Sequence, residues 1–255
     1  MSKNLWKSDP EWFERWFDQP EYHILYGHRS QKEAIDFVRM VMNRSLLGDG
    51  VLRILDVGCG AGRHAAAMSS YGHDVVGMDL SQNNITSARS LHMTQAGKID
   101  FVQGDMRKLE DYFPSDSFDA ITMLFTSFGY FQTDQEHVET LRRIRQILKD
   151  RGTFILDFLN LEHVTAHLTP SECVTKEGIV FQIHRRVANG WIEKSIEFVD
   201  AAGVAKHHVE RVKAFSPSQL HEMLKQAGFY SQSQFGNYNL QPLGKSSHRC
   251  IIVAH

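Results

Sequence analysis

The segment Ile54-Leu55-Asp56-Val57-Gly58-Cys59-Gly60-Ala61-Gly62-Arg63-His64 decides the fold of this 255-residue chain. Its first residues continue a short apolar run, 51–57, that is typical of a strand buried on both faces. Three glycines at alternate positions follow, and a helical stretch comes next. Glycine lets the backbone approach a ligand closely, and a helix start offers unpaired N–H groups. This order predicts a ligand site at the carboxyl edge of a parallel sheet.

The first part of the chain alternates between strand and helix patterns. Short apolar runs predict strands over 51–57, 74–79, 99–103, 118–124 and 152–159. Helical spacing of apolar residues predicts helices over 30–47, 62–71, 81–96 and 134–148. Strands separated by helices of this length form βαβ units, so we expect a parallel sheet with helices on both faces.

The pattern changes after Leu159. Three runs of strand character lie between 174 and 215, and Asn189-Gly190 between two of them predicts a hairpin. A helix over 216–227 and strands over 229–235 and 250–254 follow. We therefore predict an N-terminal helical cap (1–29), a ligand-binding core (30–165), an antiparallel β insert (166–215) and a C-terminal part that completes the core sheet (216–255).

Two acidic positions follow the next strands of the predicted sheet. Asp79 ends the second strand, where a carboxylate can accept both hydroxyls of a ribose. Asp105-Met106 ends the third strand, where the acid can accept from an adenine amino group and the methionine can cover the ring. The dinucleotide pattern GxGxxG would need glycine in place of Arg63, so the spacing argues against NAD.

These motifs, over 52–159, resemble the class I S-adenosylmethionine (SAM) dependent methyltransferases of the small-molecule type. The resemblance implies a Rossmann-like, mostly parallel seven-stranded sheet with an antiparallel last strand, helices on both faces and, here, the β insert. It implies SAM as cofactor and S-adenosylhomocysteine as product. The cofactor-binding residues that we predict are Tyr26, Arg29, Asp56, Gly58, Cys59, Gly60, His64, Asp79, Leu80, Asp105, Met106, Leu124 and Phe125.

The methyl acceptor is less well defined by the sequence. Methyl transfer is an in-line displacement for which the protein mainly supplies alignment and a dry site. The segment 125–131 lacks the Asn/Asp-Pro-Pro-Tyr/Phe motif of the amino methyltransferases that act on nucleic acids or protein amides. It is rich in aromatic rings, which favours a small acceptor, and we expect methylation at O or N. Predicted substrate residues are Tyr22, Ser127, Tyr130, Arg185 and Lys194, and candidates for catalysis are Tyr130, His184 and Glu210.

The hairpin fixes a register that places like charges together. A two-residue turn at Asn189-Gly190 sets Arg185 opposite Lys194 on an apolar face, which is unfavourable unless an anion lies between them. Either Glu210 neutralises both side chains, or they receive a substrate carboxylate or phosphate. The same register sets Arg186 opposite Glu193, which we interpret as a surface pair.

Composition limits the remaining classes of protein. The chain has 28 Lys+Arg against 30 Asp+Glu, so the totals do not suggest a DNA-binding face. No apolar run could span a membrane, and the three separated cysteines indicate a reduced, cytoplasmic protein. His163 and His167 are one helical turn apart without a third ligand, so no metal is expected. We expect a monomer or homodimer. RNA or protein methylation, and a non-catalytic subunit that binds SAM or its product, stay open as alternatives.

Overall fold

The helices and strands follow the predicted alternation. The computed structural model describes residues 5–27, 30–92, 98–230 and 232–255. The helices are α1 (Trp12–Trp16), α2 (Pro20–Tyr26), α3 (Gln31–Asn43), α4 (Arg63–Ser69), α5 (Gln82–His92), α6 (Asp134–Ile147), α7 (Leu161–His167) and α8 (Pro217–Gln226). The strands are β1 (Arg53–Val57), β2 (Asp74–Asp79), β3 (Lys98–Gln103), β4 (Phe118–Met123), β5 (Leu148–Leu159), β6 (Ser171–Lys176), β7 (Ile179–Ala188), β8 (Trp191–Val199), β9 (Ala205–Lys213), β10 (Gln232–Phe235) and β11 (Arg249–Ala254).

Seven of these strands form the main sheet, in the order β10-β11-β5-β4-β1-β2-β3. Strands β1 to β5 run parallel, whereas β11 is antiparallel to both β5 and β10. The predicted seven-stranded sheet with a reversed last strand is therefore confirmed. Because β1 to β5 all point the same way, their carboxyl ends meet at one edge, which begins after Val57, Asp79, Gln103, Met123 and Leu159.

Helices cover both faces of the main sheet, as predicted. Leu55 of β1 belongs to a core cluster with residues of α6 and α8, whereas the preceding Ile54 belongs to one with residues of α3, α4 and α5. Successive strand residues point to opposite faces, so β1 needs apolar side chains at both. A 3₁₀ helix over Met106–Asp111, which we did not predict, follows β3.

A second, antiparallel sheet has the order β6-β7-β8-β9. The hairpin turn lies at Asn189-Gly190, with φ values of 51° and 77°, and Arg185 pairs with Lys194 as predicted. The prediction of three strands was wrong, because β6 is a fourth. It is an exposed edge strand without a buried face, so its sequence carries little apolar periodicity.

The N-terminal aromatic segment packs on this second sheet. Trp12, Phe13 and Trp16 of α1 share a core cluster with Phe181 of β7 and Phe198 of β8. The cluster also contains Tyr22 and Leu25 of α2 and Phe131 of the loop after β4. The two short helices therefore lie between the second sheet and the carboxyl edge of the main sheet.

Candidate active site

A cavity of about 520 Å³ lies at the carboxyl edge of the main sheet. It is bounded by the glycine-rich turn after β1, the ends of β2, β3 and β4, and helices α1 and α2. The predicted cofactor residues that line it are Tyr26, Asp56, Gly58, Cys59, Gly60, His64, Asp79, Leu80, Asp105, Met106, Leu124 and Phe125. Arg29, also predicted, lies outside the described residues.

The glycine-rich turn packs closely on one side and leaves space on the other. Gly58 has φ +70°, and a Cβ there would lie 2.6 Å from the Cβ of Ser127. Gly60 has φ +55°, and a Cβ there would meet no atom within 4 Å. The backbone at Gly60 therefore borders open cavity, which leaves room for a ligand against the turn.

Asp79 joins the turn to the end of β2. Its carboxylate accepts hydrogen bonds from the N–H of Gly60 at 2.8 Å, the N–H of Ser81 at 2.9 Å and Nδ2 of Asn84 at 3.1 Å. Burial raises its pKa, although these three bonds act in the opposite direction. A carboxylate has about four acceptor positions, so one is left for a ligand hydroxyl.

Asp56 at the end of β1 carries a buried atom that is not satisfied. Its Oδ1 accepts from Oγ1 of Thr122 at 2.8 Å, whereas Oδ2 has no hydrogen-bond partner within the part of the chain that the structure describes. Burial raises the pKa of the carboxyl to about 7. An unpaired buried acceptor is unfavourable, and a ligand N–H could satisfy it.

Asp105 lines the cavity, but its charge is already paired. Its Oδ1 accepts from the N–H of Arg107 at 2.8 Å, and Oδ2 lies 2.7 Å from Nη2 of the same residue. Arg107 in turn pairs with Glu11 at 2.8 Å and with Glu14 of α1 at 2.9 Å. The Asp105 hydrogen bond raises the pKa of Arg107 further. This network links α1 to the end of β3.

An ion pair supports the loop after β4. Phe125 and Thr126 both adopt left-handed conformations, with φ of 56° and 66°. The N–H of Phe125 donates to Oδ2 of Asp157 at 2.8 Å, and Nε of Arg249 donates to Oδ1 at 2.7 Å. Tyr238 adds a third donor to Asp157 at 2.9 Å. Asp157 is fully buried, so the pair must form inside the protein.

The opposite side of the cavity is aromatic. The rings of Trp12, Phe13, Phe17 and Tyr22 line it together with Tyr130, and Trp12 and Phe17 each lie 5.5 Å from the Tyr130 ring. The Tyr130 hydroxyl donates to the carbonyl oxygen of Thr126, and the indole nitrogen of Trp12 has no partner within the described ranges. Ser127 also lines the cavity. Rings with few polar groups form the type of wall that binds small organic molecules.

Glu210 of β9 is the carboxylate on this aromatic side. It accepts from Nε1 of Trp16 at 2.6 Å and from the hydroxyl of Tyr26 at 2.7 Å. Lys194 of β8 donates to the same hydroxyl, and its Nζ lies 4.0 Å from Glu210. Glu210 therefore holds both N-terminal helices against the second sheet.

Other predicted substrate residues lie elsewhere. Arg185 and Lys194 line a second cavity of about 310 Å³ behind Tyr26. Glu210 faces Lys194 but not Arg185, whose partner is Glu172 of β6. The first of the two alternatives, in which Glu210 neutralises both side chains, is therefore wrong for Arg185, because the prediction did not include the strand β6 that carries Glu172.

Two more residues of the second sheet differ from expectation. His184 lines neither cavity and bonds Oγ of Ser171 at 2.9 Å, so the structure does not bring it to the site. Glu193 is not a surface residue, since only 4% of it is exposed. It is enclosed by Arg186 at 2.6 Å and by Arg211 of β9 at 3.0 Å.

Other side chains line the cavity that sequence reasoning had not assigned to it. Trp12, Phe13 and Phe17 carry a signal in the sequence, because six aromatic residues lie between positions 12 and 26, but this clustering is equally compatible with a purely structural role. Arg63 follows the glycine turn directly, whereas nothing in the sequence around Arg249 marks it. The remaining lining residues of this kind include His23, Asn84 and Thr126.

The described ranges contain neither a group of side chains arranged for a metal ion nor a helix suited to cross a membrane. His163, His167 and His248 have adjacent rings, 4.2 Å apart in each pair, yet no three His, Cys, Asp or Glu side chains in these ranges are arranged to hold a metal ion. None of the helices in those ranges is both long and apolar enough to cross a bilayer.

The sheet with its reversed last strand, and the cavity beside its glycine-rich turn, define the class I methyltransferase fold. A family model described as a methyltransferase domain matches residues 54–152. A putative methyltransferase of Geobacillus sp. (strain WCH70) is 37% identical over 212 residues, which covers 80% of this chain and 85% of that protein. The chain belongs to this methyltransferase family.

Further comparisons agree with this assignment. A dTDP-3-amino-3,4,6-trideoxy-alpha-D-glucopyranose N,N-dimethyltransferase of Streptomyces venezuelae is 28% identical over 188 residues, covering 72% of this chain and 66% of that protein. The crystal structure of a SAM-dependent methyltransferase from Clostridium acetobutylicum ATCC 824 has a TM-score of 0.75 at 16% identity. It covers 91% of this chain and 94% of that one, so the two share the fold.

Proposed function

We propose that this protein transfers a methyl group from SAM to an oxygen or nitrogen atom of a small-molecule acceptor. The observation that carries the proposal is a cavity that joins two different surfaces. One surface is the glycine-rich turn with Asp79 and Asp105, and the other is the aromatic wall with Tyr130 and Glu210. A donor and an acceptor can thus occupy one enclosed space, as a group transfer requires.

The residues on the first surface fit SAM. The open side of Gly60 leaves room beside the turn, and Asp79 keeps an acceptor position for a ribose hydroxyl. The unsatisfied Oδ2 of Asp56 would accept from the amino group of the methionine part. When bound, SAM supplies a methyl group that its sulfonium already activates. Burial raises the pKa of the Cys59 thiol well above its usual value, which disfavours the reactive thiolate.

The second surface supports a small acceptor. Helices α1 and α2 border this side, where an acceptor would contact Trp12, Phe17, Tyr22 and Tyr130. Aromatic rings of this kind favour a small acceptor over RNA or a folded protein. The rings exclude water from the transfer, and Glu210, whose carboxylate accepts from Trp16 and Tyr26, is our candidate to hold a polar acceptor group or take its proton. The Streptomyces venezuelae relative is named for the N,N-dimethylation of a dTDP-linked amino sugar, which is also a small-molecule acceptor.

Isothermal titration with SAM and S-adenosylhomocysteine tests the donor site. We expect the protein to bind both, and Asp79→Ala to abolish binding. Asp74→Ala is the matched control, because Asp74 starts the same strand at the opposite edge and pairs with Lys98 on the surface. No binding by the unmodified protein, or equal losses in the two variants, would refute the proposal.

Transfer of a labelled methyl group tests the acceptor class. Small amines, amino sugars and phenols are compared with total RNA and with unfolded protein as acceptors. We expect labelling of a small molecule only. Labelling confined to RNA or protein would refute the small-acceptor part, whereas binding of SAM without any transfer would favour the non-catalytic subunit.

A further inference from the structure

Arg249 presents a buried positive charge to the cavity. It is the first residue of β11, and 13% of its side chain is exposed. Nε donates to Asp157 at 2.7 Å, and Nη2 donates to Oγ1 of Thr126 at 2.8 Å. Nη1 makes no hydrogen bond within the part of the chain that the structure describes, and the residue lines the cavity. One edge of the guanidinium is therefore fixed by protein, which leaves the other available to a ligand.

The Asp157 carboxylate accepts hydrogen bonds from two groups besides Arg249. The same carboxylate accepts from the N–H of Phe125 at 2.8 Å and from Tyr238 at 2.9 Å. Burial by itself would lower the pKa of Arg249, but Asp157 and Tyr238 act against it and the pKa is raised. The guanidinium is thus charged under all physiological conditions.

A second cation lies at the same end of the cavity. Arg63 of α4 lies 5.5 Å and Arg249 lies 5.8 Å from the centre of the Phe125 ring. His64 between these elements is neutral, because burial and the two arginines lower its pKa to about 3. Arg249 is paired with the carboxylate of Asp157, and Arg63 adds a second positive charge beside the neutral imidazole, which favours an anionic group at this end.

The order of the strands indicates which part of a bound methyl donor would lie at the Arg249 end of the cavity. In the order β10-β11-β5-β4-β1-β2-β3, Arg249 on β11 and Asp105 after β3 lie on opposite sides of the glycine-rich turn, which follows β1. A donor whose nucleoside lay against Asp79 and Asp105 would have its other end on the β4 and β11 side of the glycine-rich turn. In SAM that end carries an α-amino group and an α-carboxylate.

We propose that Arg249 binds the α-carboxylate of the methyl donor and makes the site select donors that carry this group. This inference rests on the proposed function. It adds a specificity-determining residue on the last strand of the sheet, outside the glycine-rich turn and the acidic strand ends.

The test uses ligands that differ in one group. Decarboxylated SAM keeps the sulfonium, the nucleoside and the amine but lacks the carboxylate, and 5′-methylthioadenosine lacks the whole amino-acid part. Titration calorimetry gives the Kd of SAM, decarboxylated SAM and 5′-methylthioadenosine for each variant. A charge-assisted contact predicts that the unmodified protein binds SAM roughly 10- to 100-fold more tightly than decarboxylated SAM.

Arg249→Met should remove this preference by weakening SAM alone. Because that variant leaves Asp157 buried without its partner, the double variant Arg249→Met/Asp157→Asn is measured as well, with thermal unfolding as the check on folding. Arg53→Met is the matched control, since Arg53 lies over the Phe118 ring at the other edge of the sheet.

The outcomes separate the inference from the proposed function. If the folded double variant loses affinity for all three ligands equally, or still prefers SAM, the carboxylate is bound elsewhere and the inference is wrong. If the unmodified protein binds none of the three ligands, the proposed function fails first and the inference fails with it. A preference lost only with Arg249 supports both.

Discussion

Gly58 lies so close to Ser127 that one added methyl group should strongly destabilise the fold, and removing the Ser127 side chain should relieve part of this loss. In Gly58→Ala, the new Cβ would lie 2.6 Å from Cβ and 2.7 Å from Oγ of Ser127. A left-handed φ of +70° adds about 1–2 kcal/mol for a residue with a Cβ, and overpacking typically adds about 1–3 kcal/mol. We therefore expect Gly58→Ala to lower the free energy of unfolding by about 2–5 kcal/mol.

A second substitution separates these two contributions. Ser127→Gly removes both atoms that the new Cβ would meet, and the next neighbour is Cε of Met106 at 3.9 Å. By itself it deletes the hydroxyl bonds to the carbonyls of Gly58 at 3.1 Å and Leu124 at 2.8 Å, each contributing about 0.5–1.5 kcal/mol. In the double variant the overpacking is gone, and only the cost of placing a Cβ on a left-handed backbone adds to the loss of the two hydrogen bonds. The two substitutions should therefore couple by the overpacking cost, about 1–3 kcal/mol.

Urea unfolding followed by circular dichroism measures all four proteins of this cycle. Gly60→Ala is the matched control, because its Cβ would meet nothing within 4 Å and only the backbone contribution applies. That variant should fold well and yet bind SAM more weakly, since its methyl group enters the cavity. Additivity of Gly58→Ala and Ser127→Gly within about 0.5 kcal/mol would refute the reasoning.

Two further predictions concern charge. His137 is fully buried, with Nδ1 bonding the carbonyl of Thr133 and Nε2 accepting from the N–H of Phe131, and burial lowers its pKa to about 4. The unfolded chain takes up this proton below about pH 6.5, so stability from this group is lost as pH falls, by about 1.6 kcal/mol between pH 6.5 and 5. Urea unfolding should show that much less pH dependence in His137→Gln, and an equal dependence would contradict it. Arg107→Gln should release α1 and speed limited proteolysis there roughly tenfold, as a loss of about 1.4 kcal/mol implies, whereas the equally exposed Arg143→Gln should not.

The main sheet was predictable because the apolar pattern of its central strands agrees with their buried position in the parallel sheet. Strand β1 must be apolar on both faces, so its buried run marks it in the sequence before any neighbour is known. Asp79 and Asp105 could be placed together because parallel strands end at one edge. The hairpin register followed from Asn189-Gly190 alone, since a two-residue turn fixes every later pair.

The second sheet was harder to predict, because the burial and the ion-pair partners of its side chains depend on neighbouring strands that sequence periodicity does not identify. Glu193 stands opposite Arg186 on the hairpin, and this pair by itself indicates a surface position. Strand β9 then brings Arg211 against Glu193 and buries it. Likewise, the partner of Arg185 is Glu172, on an exposed edge strand that sequence periodicity does not mark.

Arg249 shows how a site residue can be fixed by topology rather than by a motif. It lies 92 residues from Asp157, and an arginine before an apolar run reads as an ordinary strand boundary. However, β11 is antiparallel to β5 and pairs Arg249 with Leu159, the last residue of β5. The first residue of the reversed strand must therefore lie at the edge where β1 to β5 end, which is the ligand edge. The guanidinium at that position is paired with Asp157 of β5, and Nη1, which has no hydrogen-bond partner within the described residues, is the donor left for a ligand in the cavity that Arg249 lines.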